Sequence, residues 1–313
     1  MRRRLLALIV SLSLTAGCGA RAGDQAAIPE PEPARETSAG VELDEAIQAF
    51  EVLRQLDDAW RERDCAAIGK LTAWVENALG GRACEATRNG RPAPERKSHS
   101  EVEFFLPGPA GQDRWFLALA REPDPAYFLF VEEGGGWRLG AGPIPVRGEP
   151  PEPVDGAVPP GDPGVGVRAR LAPQRYLTYL TDPAGVSGVT FPKGDAARGL
   201  LDELTGRPGK VRPDRLDTDV RLLVGPERAL LLPGGGALVV HAVEIEYRQR
   251  AAPGRSAPAH PLYTKADLRG FTGETRAAEV TGTEVVVFAT EVTDGAGLST
   301  VGLRRGLADL ATG

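Results

Sequence analysis

The chain is predicted to be an α+β protein of two tandem domains, each setting N-terminal helices against a curved antiparallel sheet. Three observations predict this. Apolar residues fall three or four apart over residues 43–71, and beyond residue 100 the pattern changes to alternating or short unbroken apolar runs. The same order, helices and then strands, returns after a proline-rich stretch at 148–166.

The first helix is read from Leu43, Ala46, Ile47, Phe50, Leu53, Leu56 and Trp60, one stripe opposed by Glu45, Gln48, Glu51, Arg54, Asp58 and Glu62. Asp64 is placed to cap a second helix that carries Cys65, Ile68 and Leu71 inward and fades near Gly80. Residues 81–98 read as a polar, turn-rich loop. Strands follow at 101–106, 115–120 and 127–132, with turns at 108–113 and at the Pro123-Asp124-Pro125 step, and Gly134 to Gly136 turn into a strand through Trp137 and Leu139.

Six prolines and few large apolar side chains mark residues 148–166 as a linker. Beyond it, a helix carries Leu171, Tyr176, Leu177 and Leu180, and a shorter one covers 195–204. Strands are expected at 219–224, 228–232, 237–250, 278–292 and 298–304. The domains are therefore 41–147 and 167–313.

Ahead of them lies an export signal. Arg2, Arg3 and Arg4 form a basic start and residues 5–14 an apolar run too short to span a bilayer. Thr15, Ala16, Gly17 and Cys18 follow. This step resembles the lipobox of bacterial lipoproteins, although Thr15 stands where leucine is commoner. The resemblance implies removal of residues 1–17 and a lipid on Cys18, holding the protein at the outer face of the membrane with no transmembrane helix. Residues 18–40, with Pro29-Glu30-Pro31-Glu32-Pro33, read as a tether that builds no core.

An exported chain sees oxidising conditions, and its remaining cysteines, Cys65 and Cys84, are an even pair. A disulfide is the natural outcome, closing a loop of about 20 residues and contributing on the order of 3 kcal/mol. Two separate buried thiols are the alternative. Neither cysteine has a second Cys or His at ligand spacing.

Formal charge is −6, from 37 basic and 43 acidic residues, and no basic cluster is interleaved with aromatics, which argues against nucleic acid as a partner. Of the basic residues only five are lysine, in a composition typical of a high-GC actinobacterium.

The helix ending Asp57-Asp58-Ala59-Trp60-Arg61-Glu62-Arg63-Asp64, ahead of a strongly bent sheet, resembles the nuclear transport factor two-like (SnoaL-like) cone fold. The stretch Pro233-Gly234-Gly235-Gly236-Ala237-Leu238-Val239-Val240 is similar to that of uncharacterised actinobacterial lipoproteins built on two such domains. This resemblance implies cone-like domains and an envelope location. It implies no single activity, since the fold hosts isomerases, hydratases and binding modules.

The three histidines, His99, His241 and His260, stand at no metal-ligand spacing, and no Gly-x-Ser-x-Gly elbow is present, so neither a metal, a cofactor nor a serine hydrolase triad is expected. His241 shares a strand face with Val239, Val243, Ile245 and Tyr247; His241 and Tyr247 are the candidate pocket pair, as acid and base or as plain core. Glu244 and Glu246 lie on the opposite face, as a dyad or as a solvated surface. The aromatics Phe104, Trp115, Phe116, Tyr127, Phe128, Phe130 and Trp137 read as sheet core or cavity lining. Gly134 to Gly136 and Gly234 to Gly236 join strands and lack the Lys and Ser or Thr of a phosphate loop.

The sequence therefore points to a lipid-anchored, extracytoplasmic protein, non-catalytic, that binds an envelope protein or a small apolar ligand. The alternative is a cone-fold isomerase or dehydratase using His241. A solute receptor would need parallel βαβ halves, against the strand-after-strand order.

Overall fold

A computed structural model describes residues 40–313, except 109–112, 155, 160–161, 226–227, 294 and 296. The signal, Cys18 and nearly all of the tether lie outside the described residues, as does most of the turn expected at 108–113. The described residues cluster as one compact unit.

Helices come first. The single long helix expected at its start is two segments, α1 Leu43–Phe50 and α2 Val52–Glu62, meeting at Glu51. Its buried side runs through Ala46, Ala49, Leu56 and Trp60, so Leu43 and Ile47 stay half exposed. α2 stops where Arg63 turns left-handed, at φ 56°. α3 (Cys65–Leu71) starts on Asp64, whose carboxylate accepts from the Ala66 and Ala67 amides at 3.1 and 3.0 Å, the expected cap.

The first part of the expected loop, residues 81–88, is helix, and residues 89–98 are turn and irregular backbone as expected. α4 spans Trp74–Arg88, with Ala83, Cys84, Ala86 and Thr87 buried. Three small residues let it pack closely. A Cβ on Gly80 would lie 3.0 Å from Ile68 Cγ2, and Ala83 and Ala86 are buried beside it. The Cys65–Cys84 disulfide thus joins α3 to α4, with Cα atoms 5.6 Å apart, and does not staple a loop.

Strands β1 (Ser100–Phe105), β2 (Trp115–Glu122), β3 (Ala126–Glu133) and β4 (Gly136–Pro145) form a four-stranded antiparallel meander in chain order. α5 (Val165–Leu180) begins inside the 148–166 stretch expected to be linker, and α6 (Ala196–Lys210) follows, capped by Asp195. The second sheet contains β5 (Arg215–Leu222), β6 (Arg228–Leu231), β7 (Ala237–Arg250), β8 (Glu279–Val292) and β9 (Leu298–Thr312), ordered β5-β7-β8-β9 with β6 also on β7. Every pairing between these strands is antiparallel. A helix absent from the sequence expectation, α7 (Lys265–Thr272), opens on a capping box between Thr264 and Asp267.

The two sheets pack face to face. Odd-numbered residues of β2 and β3 (Trp115, Leu117, Leu119, Tyr127, Leu129) share a core with Val240, Ala242, Val285, Val287 and Val301 of the second sheet. Even-numbered residues (Phe116, Ala118, Phe128, Phe130) meet α1, α2 and α4 instead. The far side of the second sheet, through Val239, Val243, Ile245 and Phe288, is covered by α5 and α6. Covering both faces explains why β2 and β3 read as unbroken apolar runs and not as alternation. The 148–166 stretch is laid against β6, with Val154 and Val158 amides donating to Leu231 and Ala229 carbonyls at 2.9 and 3.0 Å.

Candidate functional site

His241 sits on β7 where the edge pairing breaks. β5 ends its register at Leu222↔Val243 and β6 begins at Arg228↔Val240. There a cavity of about 400 Å³ opens, lined by His241, Trp74, Trp115, Arg228, Val239 and Pro173 among others. The imidazole is 4 % exposed and lies between the rings of Tyr176 and Phe288, at 4.5 and 5.2 Å. Burial alone pushes its pKa down to about 3, so it is neutral at physiological pH.

A chain of buried hydroxyls ties this ring to a carboxylate that the sequence could not assign. His241 Nε2 is 3.0 Å from Thr290 Oγ1, which donates to Tyr176 Oη at 2.9 Å; Tyr176 Oη is 2.7 Å from Thr300 Oγ1, which donates to Asp195 Oδ1 at 2.7 Å. Each hydroxyl has one proton, so the accepting carboxylate sets the direction of every bond. Thr300 donates to Asp195, Tyr176 to Thr300 and Thr290 to Tyr176. His241 must then donate from Nε2, which leaves Nδ1 as an acceptor, and Nδ1 has no partner among the described residues. Burial also raises the Tyr176 phenol above its ordinary value, keeping its proton in place.

Tyr247 is 3 % exposed and lines a different cavity, of about 420 Å³, with Arg207, Tyr263 and Glu284. The structure therefore does not bring His241 and Tyr247 to one site: six residues along a twisted strand, one packs under α5 and the other with Leu268 and Phe271 of α7. Glu244 and Glu246 both pair with Arg221 of the neighbouring strand. His260 offers its carbonyl to Gln249 Nε2 at 2.9 Å.

A larger space, about 850 Å³, was not legible in the sequence. It lies between the first helices, the 91–99 segment and β9, on an apolar floor of Phe50, Leu56, Trp60, Ile68, Leu79 and Phe128. All six basic side chains that line it, Arg54, Arg91, Arg96, Lys97, Arg304 and Arg305, are ion-paired within the protein, with Glu51, Asp267, Asp57, Asp124, Glu76 and Glu203 respectively. Glu76 is buried on α4 and takes the Gly142 amide at 3.1 Å as well as Arg304. Two arginines, Arg305 foremost, outweigh burial and hold Glu203 down to about 2. His99 also borders the cleft, its ring 4.8 Å from Phe128 and its pKa lowered by burial, against the opposing effect of its hydrogen bond to the Glu122 backbone.

Among the described residues no group of His, Cys, Asp or Glu is arranged to hold a metal ion, and no helix is long and apolar enough to cross a membrane. No family model and no solved structure matches the chain. It is similar to an uncharacterised lipoprotein of Streptomyces coelicolor, 29 % identical over 263 residues that cover 79 % of this chain and 77 % of that protein.

Proposed function

We propose that the protein is a lipid-anchored component of the cell envelope whose folded part is a binding module for a neutral, largely apolar ligand. In this reading residues 1–17 are the signal, Cys18 carries the lipid at the outer face of the membrane, and residues 18–40 are the tether. The relative's description as a lipoprotein supports the anchor. Helices followed by an antiparallel sheet in both halves support cone-like domains at 41–147 and 167–313, joined through 148–166.

One observation carries the binding reading: the 850 Å³ cleft has an apolar floor, and every basic side chain on it is already neutralised by a protein carboxylate. Such a site gains nothing from a ligand's negative charge and much from burying its hydrocarbon. The second reading, an isomerase or dehydratase with His241 as base, draws on the hydroxyl chain that orients the ring from Asp195, and the depressed pKa of the buried imidazole counts against it.

The test has two arms. In cells fed an alkyne-tagged fatty acid, the protein should carry the tag and Cys18→Ser should lose it. Purified protein with monooleoylglycerol at about 100 times its dissociation constant should gain roughly 2.7 kcal/mol of stability. Leu53→Glu, at the cleft wall, should abolish that gain. An untagged wild type sinks the anchor; a stabilisation unchanged by Leu53→Glu, or none at all, sinks the cleft.

A further inference from the structure

We propose that the 400 Å³ cavity beside His241 is a second binding site, for a small neutral molecule with an apolar body and an N–H or O–H group that donates to His241 Nδ1. This site shares no lining residue with the 850 Å³ cleft, so the two stand or fall separately.

Four observations converge on it. The hydroxyl chain that ends on the Asp195 carboxylate fixes the ring as the Nε2–H tautomer, so Nδ1 offers a lone pair and no proton. Nδ1 is unpartnered although the ring is 4 % exposed, and a buried acceptor without a donor is costly unless something supplies one. The cavity lies where β7 passes from one edge partner, β5, to the other, β6, and His241 is among the residues that line it. Its walls are mostly apolar, from Trp115, Val158, Ala169, Pro173, Val239 and Val240. Two of its charges, Arg228 and Asp113, face each other at 3.6 Å, and Arg228 also covers the Trp115 ring, so the site selects for hydrogen bonding and shape over charge.

The size suits a guest of one or two rings. Trp74 Nε1, a donor packed against Gly225, is also on this wall and has no partner among the described residues.

The experiment compares indole with benzofuran, its isostere without the N–H, on the full-length chain labelled with ¹⁵N at its three histidines. Three expectations follow: the His241 resonances report the Nε2–H tautomer, indole binds about tenfold or more tightly than benzofuran, and indole shifts the Nδ1 resonance. Thr290→Val cuts the link to Asp195 and should erase much of the preference for indole. If that variant does not fold, the wild-type spectra and the affinity ratio decide alone. An Nδ1–H tautomer, equal affinities, an indole complex that leaves His241 unmoved, or no binding of either indole or 2-naphthol would each overturn the proposal.

Discussion

Tyr247 lies flat across Gly282, its partner on the neighbouring strand: a Cβ built on Gly282 would fall inside the van der Waals surface of Tyr247 Cζ and Oη. The glycine is there because the ring occupies the place of its side chain, an arrangement in which an aromatic covers the hole a strand glycine leaves. Gly282→Ala should therefore destabilise the protein by about 1–3 kcal/mol through overpacking, measured by urea unfolding. Tyr247→Phe should do the reverse, since Tyr247 Oη is buried without a partner among the described residues; a gain of about 1 kcal/mol is expected.

Glu76, buried, and Arg304, partly exposed, are 228 residues apart in sequence and form a pair that also clamps Gly142, with Arg304 donating to its carbonyl and Glu76 accepting from its amide. Removing one partner strands the other. Glu76→Leu alone should cost about 3–5 kcal/mol, while Glu76→Leu with Arg304→Met should cost clearly less. A double-mutant cycle by chemical denaturation measures the difference, and a strictly additive result would show the pair to be uncoupled.

Reducing the disulfide should lower stability without unravelling α4. Cys65 and Cys84 are 19 residues apart, and a loop of that length contributes about 3 kcal/mol in the chain-entropy account. Ala83 and Ala86, which flank Cys84, are buried by other contacts. Cys65→Ser with Cys84→Ser is expected to move the denaturation midpoint and leave the helical circular dichroism of the native state unchanged.

Acid should destabilise the fold earlier than its carboxylates alone require. Burial holds His241 at about 3 against an ordinary 6.5, so below pH 6.5 the unfolded chain takes up a proton that the folded chain refuses. The stabilisation is complete above pH 6.5 and is lost as pH falls from there toward 3, with a slope approaching about 1.4 kcal/mol per pH unit. His99 is shifted in the same direction by burial and adds to the slope. His241→Phe should flatten the dependence between pH 6.5 and 5, a range above that in which Asp214 and Glu203, both lowered, begin to take up protons.

Local signals were read well because their causes are local. Asp64 and Asp195 start helices since a short carboxylate can reach the free amides two or three residues on, whatever surrounds it. β7 runs over Ala237–Arg250 as expected, between a glycine turn and a proline. The second half of α4 escaped notice because Gly80, Gly81 and the charges at Arg82, Glu85 and Arg88 look like a turn when the helices beside them are unseen. α7 opens on a capping box, Thr264 and Asp267, but is only eight residues long, too short for an apolar period to mark it.

By itself, then, the sequence determined the α+β class, the order of most helices and strands, the pairing of its two body cysteines and the face of β7 on which His241 stands. These follow from period, capping and cysteine count, which act over a few residues or need no geometry at all. Only the tertiary structure decided that the two sheets lie face to face, that His241 and Tyr247 belong to separate cavities, that Asp195 reaches His241 through three hydroxyls, and that Glu76 meets Arg304. Strand periodicity assigns a side chain to a face, whereas contacts between residues more than a hundred positions apart depend on how layers pack, and no local pattern encodes that.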